Sequence, residues 1–477
     1  MLILIVSLSI FIIFKRLYFA LRSPVLVSTL ISPSFYMLIF VTAYIGGGAM
    51  GYDLALTFAR YKYYAVFFSS IMETSILTTK TLSAYTIAVF LLFQLSIKPK
   101  LISCNSVYKF NPLIVMSSRV VLVLSGLYTS LLYFLNRSTF SNVAFRQDGL
   151  DIISSLISQL GIILFLLCVS SGILILCKKS YILIPFCCLP LIFIEILTQG
   201  RTLTFILILF LSIIFISSNK ITSIPSSTNV DHRLRDIKNV RSETDIMTSS
   251  REASLCHQRL KYGTTKNKNM TWIYILVISI VLLIIGVGVL RTTGAIEDGL
   301  GFIGFIFFAD VFYSFWSTPI AIDYYNFNSY QADVALYLQN AVLYMIPSAI
   351  LKIISSIEKY PLSGFAQTLY NVYDSRLGFG LATNIISEAY IAGGLSFCYL
   401  SPIIIASILR IIEQLSLYRS VAGFIFLIYF SAYARLIVRD NFYISFFTLV
   451  GLMTFLGSWI FFLQPRTDFS EPRNLRG

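Results

Sequence analysis

The side chains best able to do chemistry in this sequence are five arginines at or near the ends of long apolar runs. They are Arg201, Arg291, Arg376, Arg435 and Arg439. A charged side chain next to hydrocarbon is costly and commonly marks a functional pathway. The guanidinium forms forked, charge-assisted hydrogen bonds to phosphate oxygens, which predicts an anionic ligand such as a diphosphate. The alternative for each arginine is an interfacial anchor or a structural ion pair, for example Arg439 with Asp440.

The carboxylate of Glu388 is the strongest candidate for acid–base chemistry. It lies in the stretch NIISEAYIAGGL, where Asn384 precedes it by one helical turn and Ala392 follows it by one turn. The adjacent glycines Gly393 and Gly394 allow another backbone or a ligand to approach closely. A partly desolvated glutamate can act as a general base toward a hydroxyl group. The alternative is a buried glutamate that only hydrogen-bonds a neighbouring helix.

Three other carboxylates lie near apolar runs. Asp310, in the stretch FFADVFY, and Asp440 are secondary site candidates. Glu195 lies six residues before Arg201 and is a candidate structural partner for it.

The elements that must position these residues follow from the composition of the chain. Of its 477 residues, 57% are apolar and only 12% are charged, whereas a soluble domain carries roughly 25% charged residues. Repeated apolar runs approach the roughly 20 residues that cross a bilayer as a helix. The sequence therefore predicts an all-α polytopic membrane protein with about 11–13 transmembrane helices and a large late external loop.

The basic loops between the apolar runs predict the orientation of the chain. Because Lys and Arg are enriched in cytoplasmic loops, these loops are placed inside. Eleven spans then follow, starting outside and ending inside, at about 1–14, 25–45, 75–97, 113–135, 152–176, 181–197, 202–217, 271–290, 385–411, 420–438 and 442–463. This order brings the five arginines to the external face, which the same rule leaves poor in basic residues. Two further stretches, 301–320 and 335–354, are either a membrane hairpin or helices in an external loop.

The same pattern divides the chain into six parts. They are an N-terminal transmembrane bundle at 1–218, a basic linker at 219–270, a transmembrane helix at 271–290, a large external loop at 291–384, C-terminal transmembrane helices at 385–463 and a cytoplasmic tail at 464–477. The linker is rich in charged and small polar residues, so it is expected to be disordered and cytoplasmic.

Several classes of site leave no signature in the sequence. It contains no Walker A loop, HExxH motif, nucleophile elbow or aspartate-rich DxD pair. Both histidines, His232 and His257, fall in the linker, and the seven cysteines follow no metal or disulfide spacing. We therefore expect no metal and no cofactor. We also expect no nucleic-acid partner, because positive-inside loops explain the net charge of +14.

These features resemble the oligosaccharide repeat unit polymerases, the Wzy-type O-antigen polymerases of bacterial surface polysaccharide synthesis. The resemblance rests on polytopic spans with one large late external loop, the turn TQGRTLTF, the stretch GFGLATNIISEAYIAGGL that enters a span, and the terminal ARLIVRDNF. It covers most of the chain, and the long basic linker departs from the ordinary layout of the family.

The resemblance implies an activity and a place for it. The substrates would be short oligosaccharides on undecaprenyl diphosphate, and the growing chain would move onto the non-reducing end of a new lipid-linked unit. The protein would be a metal-independent, GT-C-like helical glycosyltransferase of lipopolysaccharide biosynthesis in the bacterial inner membrane, with its active site facing the periplasm. A Wzz-type chain-length regulator would be a partner.

The resemblance also implies roles for the candidate residues. Glu388, Arg291 and Arg376 would be catalytic, and Arg201, Arg435 and Arg439 would bind the substrate diphosphates.

Two other functions remain open at this point. A lipid-linked oligosaccharide flippase has about twelve spans and a cationic interior, but transporters commonly show paired repeats, which this sequence lacks. An O-antigen ligase normally carries a histidine in its large external loop, and the loop predicted here has none.

Overall fold

The computed structural model of the protein describes most of the predicted spans. The described residues are 1–22, 29–50, 73–96, 111–135, 150–177, 182–197, 202–222, 311, 314–315, 317–323, 326, 343, 346, 383–414, 421–439 and 442–463. The predicted span 271–290, the tail 464–477 and most of the linker 219–270 lie outside them.

The described parts of the chain are almost entirely helical and contain no strand. The long helices are α1 (Leu2–Arg22), α2 (Pro33–Met50), α3 (Glu73–Ser96), α4 (Pro112–Leu135), α5 (Leu150–Leu176), α6 (Leu183–Leu197), α7 (Thr202–Thr222), α8 (Ile385–Gln414), α9 (Val421–Arg439) and α10 (Phe442–Leu463). Within α2, residues Val41–Gly46 form a π-helix.

Six of these helices, α1, α2, α3, α4, α8 and α9, are long and apolar enough to cross a membrane. Helices α5, α6, α7 and α10 contain shorter apolar stretches. Within the described ranges, the prediction of an all-α, multi-pass membrane protein is therefore confirmed. The number of 11–13 spans and the large external loop stay predictions.

Polar side chains mark where several helices begin. The Ser32 hydroxyl accepts the backbone N–H of Phe35 at 3.2 Å at the start of α2, where Pro33 occupies the first turn. The Asn111 side chain accepts the N–H of Leu113 at 3.1 Å at the start of α4. Such caps satisfy donors that the first turn of a helix leaves without partners, and they limit where each apolar run can become helical.

Helix α9 is the centre of the bundle. It packs against α2, α7 and α10, and its residues from Phe424 to Ala434 are almost all buried. The ring of Tyr429 meets Phe165 of α5 edge-on at 5.2 Å between centroids and Phe210 of α7 at 6.1 Å. A helix that is apolar on every side is stable in the middle of a bundle. The packing of α9 therefore fixes the position of its last turns, which carry Arg435 and Arg439.

A buried polar cluster ties α1, α2, α3 and α8 at the end of the bundle that the charge pattern predicts to be cytoplasmic. Glu413 near the end of α8 accepts the Ser32 hydroxyl at 2.8 Å and the Ser34 backbone N–H at 2.9 Å. Arg16 of α1 interacts electrostatically with Glu413 and donates to the side chain and the backbone carbonyl of Gln94 on α3. Four helix ends are therefore joined through one buried carboxylate.

Replacing Glu413 by alanine should destabilise the protein by about 1–3 kcal/mol, because the Ser32 hydroxyl and the Ser34 backbone N–H lose their buried acceptor. The measurement is the thermal unfolding midpoint of the purified protein in detergent. Glu413→Gln, which keeps the acceptor for Ser32 and Ser34, should lower the midpoint less. An unchanged midpoint for Glu413→Ala would show that the cluster contributes nothing to stability.

Helix α8 is broken near its beginning. Gly393 and Gly394 have non-helical backbone angles, and Gly394 has a φ of 65°, a conformation that favours glycine. The Cys398 thiol donates to the backbone carbonyl of Ile386 at 3.5 Å, although twelve residues of straight helix would separate them by about 18 Å. The chain therefore folds back at the two glycines.

The break divides α8 into a half-helix, residues 385–392, and a long arm, residues 395–414. The long arm alone has a length of about 30 Å, which matches the hydrocarbon thickness of a bilayer. The half-helix is thus an additional element that packs into the bundle. The predicted span 385–411 lies within α8, but it is not one continuous helix.

Residues 317–323, which fall in the segment predicted as a large external loop, are helical and almost completely buried. Just before them, Phe315 packs on α2 so closely that a Cβ at Gly48 would lie 2.4 Å from its Cβ. Glycine at position 48 is therefore a condition for this contact. At least this part of the segment belongs to the bundle and lies between α2, α3 and α8.

Candidate functional site

Three of the eight predicted site residues lie in the described part of the chain. They are Glu388 on the half-helix, and Arg435 and Arg439 in the last two turns of α9. The other five lie outside the described residues: Arg201, Arg291, Arg376, Asp310 and Asp440. The roles assigned to those five stay predictions.

Glu388 is held in the first turn of the half-helix and is only 4% exposed. Its backbone N–H donates to the carbonyl of Asn384 at 3.0 Å, which is an ordinary helical bond. The hydroxyl of Thr383 donates to its carboxylate oxygen Oε1 at 3.1 Å. The side chain is therefore withdrawn from bulk solvent and oriented by a neighbouring hydroxyl group.

Asn384 caps the half-helix and binds it to Ser314 and Thr318. Its Oδ1 accepts the backbone N–H groups of Ile386 at 2.9 Å and Ser387 at 3.0 Å. Its Nδ2 donates to the backbone carbonyl of Ser314 and, at 2.8 Å, to the hydroxyl of Thr318. Because the side chain is completely buried and uses both ends, the start of the half-helix has little freedom to shift.

A second buried carboxylate lies close to this cap. Asp323 is 6% exposed and accepts a hydrogen bond from the Ser75 hydroxyl of α3. Along the chain it falls between Thr318, which contacts Asn384, and Asn326, whose side chain accepts from the Tyr390 hydroxyl at 3.4 Å. Thr318 and Asn326 thus contact the half-helix or its cap, and Asp323 lies between them in the sequence. We use the name carboxylate cluster for Thr318, Asp323, Thr383, Asn384 and Glu388.

Arg435 is buried where α2, α7 and α9 meet, and it is only 5% exposed. Its Nε donates to the hydroxyl of Tyr44 at 2.6 Å, and its Nη1 donates to the hydroxyl of Thr202 at 3.4 Å. The guanidinium carbon lies 5.1 Å from the ring centroid of Phe205 and 5.8 Å from that of Tyr44, which is within cation–π range. Arg435 is therefore not an interfacial anchor.

Among the described residues, Glu195 at the end of α6 supplies negative charge in this region. Its two carboxylate oxygens accept the backbone N–H groups of Leu203, at 2.6 Å, and Thr204. These are donors that the first turn of α7 leaves open. Glu195 also interacts electrostatically with Arg435. The carboxylate thus caps α7 and faces Arg435, while its predicted partner Arg201 lies outside the described residues.

The carboxylate cluster and the surroundings of Arg435 lie at the same end of the bundle. Tyr44, which binds Arg435, and Gly48, which packs on Phe315, are one turn apart on α2. Phe315 directly follows Ser314, whose carbonyl accepts from Asn384. All of these helix ends are ones that the charge pattern predicts to be external, and those around Glu413 are ones that it predicts to be cytoplasmic.

Comparisons with protein-family models, with curated proteins and with solved structures found no match.

Sequence reasoning missed several residues of the site. The sequence does not identify Tyr44, Thr202 or Asp323 as site residues, because each acquires its partner from a distant part of the chain. One signal is present in the sequence, namely the run Gly46–Gly48, which begins two residues after Tyr44. Such a run indicates close approach of another segment, and in the structure that segment contains Phe315.

The described residues contain no group of three or more His, Cys, Asp or Glu side chains that could hold a metal ion. What they offer instead is a buried, hydroxyl-oriented carboxylate and a buried guanidinium at one end of the bundle. A carboxylate of this kind can accept a proton from a hydroxyl group. A guanidinium surrounded by rings and hydroxyls can stabilise negative charge on a phosphate oxygen.

Proposed function

We propose that the protein is a polymerase of lipid-linked oligosaccharide repeat units of the O-antigen type. The observation that carries the proposal is the placement of Glu388, buried and hydrogen-bonded to Thr383, at the same end of the bundle as the buried Arg435. This end is the one that the charge pattern predicts to be external. A base and a cation on one side of a membrane suit glycosyl transfer between two lipid-linked substrates.

The reaction moves a glycan from one lipid carrier to the sugar of another. The bond between the anomeric carbon of the growing chain and its diphosphate breaks, and a new glycosidic bond forms to a hydroxyl at the non-reducing end of the acceptor unit. The acceptor proton passes to the Glu388 carboxylate. The electron pair leaves with undecaprenyl diphosphate, whose negative charge the arginines stabilise: Arg201, Arg291, Arg376, Arg435 and Arg439.

This function places the protein in the bacterial inner membrane with its site facing the periplasm. A good leaving group such as diphosphate makes metal assistance unnecessary. The chain-length regulator of the Wzz type would be its partner, and lipid-linked repeat units that have already crossed the membrane would be its substrates.

The deciding experiment is a lipopolysaccharide gel of cells from which the gene has been deleted. We expect the deletion strain to show core with a single repeat unit, and the wild-type protein to restore a ladder of longer chains. Core without the single-unit band would place the defect at flipping or ligation and would contradict the polymerase proposal. A strain with a deleted gene of known, unrelated membrane function serves as the control for general envelope defects.

A flippase for the same lipid-linked unit is the second candidate. The observation that favours it is a pair of charged clusters at opposite ends of the bundle, one with Glu413 and Arg16 and one with Glu195 and Arg435. Charged layers at both ends could close a central path alternately, as in secondary transporters. Loss of the single-unit band in the deletion strain would favour this candidate.

A further inference from the structure

We propose that Thr383 is a positioning residue for Glu388, which it holds in the orientation that receives the proton of the acceptor hydroxyl. This inference rests on the proposed polymerase function. Thr383 would not contact the substrates itself. It would act through the hydrogen bond from its hydroxyl to carboxylate oxygen Oε1 of Glu388, at 3.1 Å.

The bond is protected from water. Thr383 is 3% exposed, and it is the residue immediately before the cap of the half-helix. When a hydroxyl donates to a buried carboxylate, few water molecules compete for the same carboxylate oxygen. The hydrogen bond therefore has a strong influence on the orientation of the carboxylate. The same bond on the protein surface would have little influence on the orientation.

The backbone that carries the two residues is also fixed. Asn384, between Thr383 and the half-helix, uses its side chain to bind Ser314 and Thr318 on one side and the first turn of the half-helix on the other. Its backbone N–H donates to the Ser387 hydroxyl at 2.8 Å. Because the backbone on both sides of this bond is constrained, the Thr383 hydroxyl meets the Glu388 carboxylate from a fixed position and contributes directly to its orientation.

The break in α8 determines where Thr383 and Glu388 lie in the bundle. Because the chain folds back at Gly393 and Gly394, the half-helix does not continue across the bundle. Its first turn is instead held against Ser314, Ser317 and Thr318. A base carried on such a rigid element keeps its geometry during turnover, and a misplacement of about 1 Å can cost roughly 100-fold in rate.

The test compares Thr383→Val, which keeps the shape but removes the hydroxyl, with Thr383→Ser, which keeps the hydroxyl. Thr129→Val is the matched control, because Thr129 is also fully buried but donates only to the backbone of its own helix, at 2.6 Å. Full-length wild-type and variant proteins are purified in nanodiscs. Polymer formation is then measured with lipid-linked repeat units extracted from the deletion strain, over a range of acceptor concentrations.

We expect Thr383→Val to lower kcat about tenfold or more with little change in acceptor KM, since it removes a hydrogen bond to a charged group. Thr383→Ser should restore most of the rate, and Thr129→Val should match wild type. If Thr383→Val turns over normally, or if it changes only KM or the yield of folded protein, the positioning role is wrong. If wild-type protein forms no polymer while the deletion strain lacks the single-unit band, the polymerase function itself fails, and the inference falls with it.

Discussion

Replacing Glu388 by glutamine is expected to abolish the ladder of long chains while the protein still reaches the membrane at the wild-type level. The amide keeps the volume of the side chain and can still accept the hydrogen bond from Thr383. It cannot take up a proton from the acceptor hydroxyl. General base catalysis typically contributes about 10²–10⁴-fold, so turnover of the purified protein should fall at least about 100-fold.

Glu413→Gln is the matched control for this experiment. Glu413 is a buried glutamate on the same helix, α8, but it lies at the other end of the bundle. Its carboxylate also accepts hydrogen bonds, from the Ser32 hydroxyl and from the Ser34 backbone N–H. Turnover per folded molecule should stay near the wild-type value in this variant. If Glu388→Gln retains turnover within about threefold of wild type, Glu388 is only a hydrogen-bonding residue of the bundle, and the general-base hypothesis is wrong.

Replacing Arg435 by glutamine is expected to have the second large effect, a loss of about 3–5 kcal/mol of stability, because Glu195 then remains buried without the opposite charge that faces it. The variant also loses the bonds to Tyr44 and Thr202, which join α9 to α2 and α7. The measurements are the thermal unfolding midpoint in detergent and the amount of protein in the membrane. Arg410→Gln, on the long arm of α8, is the control for loss of an arginine elsewhere.

A double variant separates the structural role of Arg435 from a role in diphosphate binding. Combining Glu195→Gln with Arg435→Gln removes both charges and should restore much of the stability, since neither side chain is then an isolated buried ion. If polymer formation remains lost in the stabilised double variant, Arg435 acts on the substrate. Recovery of both stability and polymer formation would instead identify it as a structural ion partner alone.

The helices of this protein could be predicted from the sequence closely. The span expected at 75–97 is α3, Glu73–Ser96, and the spans expected at 113–135 and 442–463 are α4 and α10 with bounds that differ by one residue at most. The physical reason is local, because a run of apolar residues must satisfy its own backbone hydrogen bonds in a membrane and does so as a helix. Caps such as Asn111 then limit where the helix begins.

The choice of Glu388 and Arg435 as special residues was also possible from the sequence, since charges in apolar runs are rare and costly. Their partners could not be predicted in the same way. Tyr44 and Arg435 are 391 positions apart, and Ser75 and Asp323 are 248 positions apart. Only the packing of helices decides such pairs, because no local pattern encodes which distant side chain will fill the same volume.

The sequence by itself determined that this is a helical membrane protein, and it determined where most of its described helices begin and end. The tertiary structure alone decided that α8 folds back at Gly393 and Gly394, since two glycines permit a sharp turn but do not require one. It also decided that Asp323 is buried against Ser75 of α3, in a part of the chain for which the sequence predicts a large external loop. Hydropathy is a local property of each residue, so the sequence reveals it directly. Burial depends on how helices from distant parts of the chain pack together, so it requires the tertiary structure.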